Sequence, residues 1–208
     1  MWEELVSYVS KQIPGFEIKT KEGSSLMKLL SLVLFFNKFF ATRYVTTMYP
    51  KVYFPKEMLN SGNILGNIII LCHEYVHLLD RKRLGWLFNI LYLSPQIFAL
   101  LAFLAIPFSL SWLWCLLFLL PLPSPFRAYF EFRAYKMSIA IYYLHLGRLP
   151  PLEFYVKQFT TSSYYWMFPF QEFLYFEFEK YARNVKNKKF DKTVEEIKIV
   201  LFPNKYRK

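Results

Sequence analysis

Between Leu84 and Phe126 the chain has no Asp, Glu, Lys, Arg or His, a run of 43 residues. A membrane-crossing helix needs about 20 apolar residues, so this run is long enough for two helices with a turn between them. Pro95 and Pro107 would kink or divide it. Arg81, Lys82 and Arg83 precede it, and Arg127 and Arg133 follow. That flanking charge fits a hairpin whose two ends both face the cytoplasm. The alternative is a buried helical hairpin in a soluble protein or a larger assembly. Hydrophobic residues make up 55% of the chain and aromatics 21%. Both values are high for a soluble domain but cannot separate the two cases.

At 208 residues the chain is long enough for one domain with a sizeable core. A formal charge of +11 favours anionic partners, among them lipid headgroups. No nucleic-acid motif is present and the basic residues are scattered, so no specific nucleic-acid partner is expected. Met1-Trp2-Glu3-Glu4 lacks a basic segment leading into an apolar core, so no cleavable signal peptide is expected. Cys72 and Cys115 form no disulfide framework and read as buried thiols.

The local patterns predict helices over residues 2–13, 25–40, 64–82 and 127–146. Apolar Leu26, Leu29, Leu30, Val33, Leu34, Phe36 and Phe40 mark the second. Residues 16–24 read as loop. Residues 43–54 are rich in Tyr, Val, Thr and Phe around Pro50 and read as two short strands. Asn60-Ser61-Gly62 reads as a turn. Residues 151–208 form an aromatic, then basic, C-terminal extension. The fold class is mainly α with a small β-sheet.

Within the third helix stand His73, Glu74 and His77. Residues four apart share a helix face, so both imidazoles can grip one tetrahedral zinc. Glu74 lies beside His73, where its carboxylate can take a proton from a zinc-activated water and pass it to a leaving amine. This is the mechanical content of the His-Glu-x-x-His pattern. Two satisfied core histidines are the bland alternative.

A catalytic zinc takes three protein ligands and leaves one position open. Asp80 and Arg83 stand where a third ligand on the same segment would require Gly and His. Glu131 is the candidate third ligand, because a carboxylate among apolar and aromatic residues is costly unless paired or metal-bound. Ala134, one turn on, would let its helix approach closely. A salt bridge from Glu131 to Arg127 or Arg133 is the competing account. His145 is the rival ligand, and a helix-capping His is its own alternative. Asp80 could accept the second N–H of a ligating histidine. Tyr135 could polarise a substrate carbonyl, or simply pack.

His73-Glu74-x-x-His77 followed by Glu131-x-x-Ala134 resembles the gluzincin metallopeptidases. The apolar run between the motifs makes the chain similar to their integral-membrane group, the prenyl-protein proteases and the bacterial heat-shock membrane protease. There the second motif is usually followed by Asp, where this chain has Tyr135. The minigluzincins are the other comparison. The resemblance covers residues 41–146. It implies a single zincin-like domain over 1–208, with 84–126 as a hairpin inserted between the His-bearing and Glu-bearing helices. It implies Zn2+ held by His73, His77 and Glu131, with Glu74 and Tyr135 catalytic. It also implies that an edge strand, 43–48 or 51–54, pairs with an extended peptide or protein substrate.

The expected function is therefore a membrane-associated zinc metallopeptidase, with the zinc site and both termini on the cytoplasmic side. The alternative is a catalytically silent, zinc-braced structural or interaction protein.

Overall fold

The computed structural model describes residues 1–33, 40–99, 109–120, 122–161 and 166–206. The described residues are mainly helical, at 69%, with one small three-stranded sheet. It divides into two compact units, Met1–Lys82 with Asp191–Lys208, and Arg83–Phe190.

In the first unit, α1 (Trp2–Gln12) buries Leu5 and Val9, and Ile13 just beyond it continues the same spacing of four. That stripe packs on α9 (Lys192–Leu201), which buries Val194, Ile197 and Leu201. Asp191 caps α9 by accepting from the Val194 N–H at 3.0 Å. The Tyr8 hydroxyl donates to Glu196 at 3.1 Å across the same pair. A last short helix, α10, covers Pro203–Tyr206.

The sheet runs β1 (Glu17–Thr20), β3 (Lys51–Phe54), β2 (Thr46–Met48). β2 and β3 are the two strands expected around Pro50, antiparallel with Thr47 opposite Val52. β1 was expected to be loop. It pairs parallel with β3, Ile18 opposite Val52. Its sequence, Glu-Ile-Lys-Thr, carries one apolar residue in four, so the strand signal is in the partner and not in the segment itself. The helix α2 (Ser25–Val33) lies between β1 and β2 in sequence. The remainder of the helix expected over 25–40, including Leu34 and Phe36, lies outside the described residues up to Phe40. Met27 of α2 packs with Phe40 and with Tyr53 of β3. The turn expected at residues 60–62 is preceded by a short helix, α3 (Lys56–Asn60), and Gly62 takes the left-handed conformation at φ 71°. Then α4 (Ile64–Leu84) runs its full expected length, with eleven buried residues.

The second unit contains α5 (Trp86–Leu93), two 3₁₀ segments (Gln96–Ala99 and Leu110–Leu119), α6 (Pro125–Leu146), α7 (Leu152–Thr160) and α8 (Gln171–Lys186). α6 starts with Pro125 in its first turn and stops at Gly147, φ 69°, whose N–H reaches the Tyr143 carbonyl at 2.8 Å. An aromatic cluster joins three helices. Phe178 of α8 lies 4.7 Å from Phe132 of α6 and 5.8 Å from Phe159 of α7, centroid to centroid. In the C-terminal extension, Tyr164 and Tyr165 lie outside the described residues.

The expected membrane location does not hold. Among the described residues no helix is long and apolar enough to cross a membrane. The charge-free run breaks early: Gly85 has φ 60° between α4 and α5, and α5 ends at Ser94 ahead of Pro95. Eight residues of α-helix span about 12 Å, against about 30 Å of hydrocarbon. The cytoplasmic placement of the site and both termini rested on that crossing and falls with it. The hairpin's expected turn near Pro107 lies outside the described residues.

Candidate metal centre

The first unit supplies the His-Glu-x-x-His face of α4. Residues four apart on a helix rise about 6 Å, yet the side chains of His73 and His77 converge. Their Nε2 atoms are 3.3 Å apart, with ring planes at 75°. Two nitrogens bound to one tetrahedral zinc at about 2.05 Å would lie about 3.3 Å apart. The observed spacing therefore fits a shared metal ion. Both rings are buried, with 8% and 5% exposure, and so are Glu74 and Asp80.

Glu74 is held from the sheet. The Thr47 hydroxyl of β2 donates to its Oε2 at 2.6 Å. Thr47 is half-buried, and it belongs to a strand whose other edge has no partner among the described residues. Cys72 neighbours His73 but is fully buried, and burial pushes its thiol well above the ordinary value. In the metal-free chain it stays protonated.

Lys21 is a further buried charge in this unit, 4% exposed, and nothing in its local sequence marks it as such. Its ammonium donates to the Phe40 carbonyl at 2.5 Å and sits 3.9 Å over the Phe40 ring. Burial lowers the amine to about 8, although the Glu74 and Glu22 carboxylates pull the other way. Between about pH 8 and 10.5 the folded chain therefore holds fewer protons here than the unfolded chain, and stability rises with pH across that window. Below it both states are protonated and the folded state bears the desolvation cost. Lys21→Met is expected to raise the unfolding free energy at pH 7 by about 2 kcal/mol, after allowing for the lost bond to Phe40. It should also flatten the rise between pH 8 and 10.5. Urea unfolding at pH 7, 8.5 and 10 checks both, and an unchanged slope would show that another group titrates.

The second unit supplies Glu131 on α6, 2% exposed. The Tyr92 hydroxyl of α5 donates to its Oε1. Arg127, one proposed salt-bridge partner, turns elsewhere. Its Nε donates to the Tyr92 carbonyl at 2.9 Å and its terminal nitrogen to Gln96 at 3.3 Å. Arg133 lies over the Tyr129 ring at 6.0 Å. Tyr135 is buried, its ring 5.3 Å from Tyr155 and 5.7 Å from Phe159. His145, the rival ligand, is exposed in the last turn of α6.

Sequence reasoning missed Thr47, Lys21 and Tyr92. Thr47 and Tyr92 act on carboxylates 27 and 39 residues away, and no local spacing encodes such a pairing. A comparison with protein-family models, curated proteins and solved structures finds no match.

Proposed function

We propose that this chain is a zinc-dependent metallopeptidase in which His73, His77 and Glu131 hold the metal and Glu74 is the general base. The observation that carries it is the 3.3 Å separation of the two Nε2 atoms on one buried helix face. His73 and His77 of α4 and Glu131 of α6 are each buried side chains of a type that ligates metal ions. Two imidazoles and a carboxylate are a donor set that suits zinc and leaves one position open. Zinc so bound would activate a water and polarise the scissile carbonyl. In this reading β1, β2, β3, α4 and α6 make up a zincin-like core, and the apolar run is an insertion within it.

The protein's own groups do the rest. His73 and His77 bind through Nε2. Tyr92 fixes the Glu131 carboxylate, as hydrogen bonds to ligating carboxylates commonly do. Glu74 accepts a proton and returns it to the leaving amine. Of the two strands expected to receive a substrate, β3 is paired on both sides, so the extended peptide pairs with β2.

The test is a zinc-loaded preparation incubated with a mixed peptide library, new termini being read by mass spectrometry. Cleavage that EDTA abolishes and added zinc restores is expected. A folded, zinc-loaded protein that cuts nothing overturns the reading.

One observation favours the second reading, a zinc-braced interaction protein. Trp86, Leu87, Ile90, Leu93, Leu110 and Trp114 are exposed, more large apolar surface than a chain without partners usually shows. That protein would bind zinc stoichiometrically, lose stability on chelation and cleave nothing.

A further inference from the structure

We infer that Thr47 is a positioning residue for Glu74, setting one of its oxygens so that the other is presented as the proton acceptor. The inference rests on the metallopeptidase reading and adds a residue to it.

A glutamate side chain has three rotatable bonds, and a base must sit within a few tenths of an ångström of its proton donor. Glu74 cannot be fixed by α4 alone, since a helix backbone sets only where the side chain begins. Thr47 supplies the missing constraint from another element. Its hydroxyl donates to Oε2 at 2.6 Å, a short bond of the charge-assisted kind. A threonine hydroxyl has one proton to give, and that proton is committed to this carboxylate.

The donor is itself rigid. Branching at Cβ limits Thr47 to few rotamers. Its backbone is fixed by antiparallel pairing with β3, Thr47 opposite Val52. β3 is in turn held on its far side by β1 and buries Val52, Tyr53 and Phe54. Thr46 and Met48 point to the opposite face of the strand, so the register with β3 decides which side chain meets Glu74. The base is thus aimed by the same three-residue strand whose other edge has no partner among the described residues.

The hydroxyl-to-carboxylate bond uses one oxygen of Glu74 and leaves Oε1 to take a proton. A hydroxamic acid tests this without an identified substrate. Its O–H bond breaks when it ligates a metal, and the proton passes to the neighbouring carboxylate, leaving a neutral acid and a hydroxamate anion. Affinity for acetohydroxamic acid therefore reports how well Glu74 is placed.

Calorimetric titration of acetohydroxamic acid into the zinc-loaded full chain is the experiment, on wild type, Thr47→Val, Thr47→Ser and Glu74→Gln. Thr47→Val is expected to bind about tenfold more weakly at unchanged zinc content. Thr47→Ser, which keeps the hydroxyl, should bind within about twofold of wild type. Should Thr47→Val fail to fold, Thr47→Ala against Thr47→Ser makes the same comparison. Wild-type affinity in Thr47→Val alongside weak binding in Glu74→Gln overturns the inference and spares the metallopeptidase reading. A wild type that holds no zinc, or a Glu74→Gln variant that binds as wild type, overturns both.

Discussion

Glu74→Gln should reduce peptide cleavage by about 10²- to 10⁴-fold while zinc content stays at that of wild type. The amide has the shape of the carboxylate and can still accept the Thr47 hydroxyl through its oxygen, so the position of the side chain should survive. What it loses is the ability to take up a proton. The fold should not suffer, because Glu74 is buried, and a neutral amide costs less to bury than a carboxylate. A melting temperature equal to or above wild type is therefore part of the expectation. Cleavage kinetics and metal analysis on one preparation check it. Cleavage persisting at the wild-type rate would remove Glu74 from the chemistry and turn the search for a base toward other groups near the metal.

Much of the first unit was legible because its signals are local. His73, Glu74 and His77 announce their helix face by spacing alone, and α4 spans the residues that the apolar flanks predicted. The strands on either side of Pro50 were readable from β-branched and aromatic content. β1 was not, since a short polar strand is specified by the neighbour it pairs with. The apolar run misled for a related reason. Absence of charge says that a segment avoids water, but not whether one continuous helix forms. Gly85 and Pro95 interrupt it at intervals too short for a crossing helix. The burial of Glu131 was foreseeable from its apolar and aromatic neighbours in sequence. Tyr92, which donates to it, was hidden in the charge-free run, where an aromatic residue looked like more of the same. Lys21 was hidden because a lysine in a polar stretch ordinarily reads as exposed, and only the tertiary fold places its amine over Phe40.

Metal retention should separate His73→Ala, Glu131→Gln and wild type sharply. Wild type is expected to keep one zinc per chain through dialysis. His73→Ala takes away one of the two nitrogens whose spacing defines the site, and zinc affinity should fall by well over 100-fold, more than the loss of an outer hydrogen bond costs. Glu131→Gln is the sharper probe of the third ligand. The amide oxygen can still accept from the Tyr92 hydroxyl, so the local packing is preserved, but a neutral oxygen is a much weaker ligand than a carboxylate. Zinc bound a thousandfold above its dissociation constant adds about 4 kcal/mol to stability, so thermal melting with and without EDTA gives a second readout. In wild type the EDTA shift should be large, and in both variants it should nearly vanish. If Glu131→Gln keeps wild-type zinc and a wild-type EDTA shift, the third ligand is another group and the glutamate-helix half of the assignment fails. If His73→Ala also keeps its zinc, the 3.3 Å approach of the two imidazoles reflects packing on a core helix, and the metallopeptidase reading fails with it.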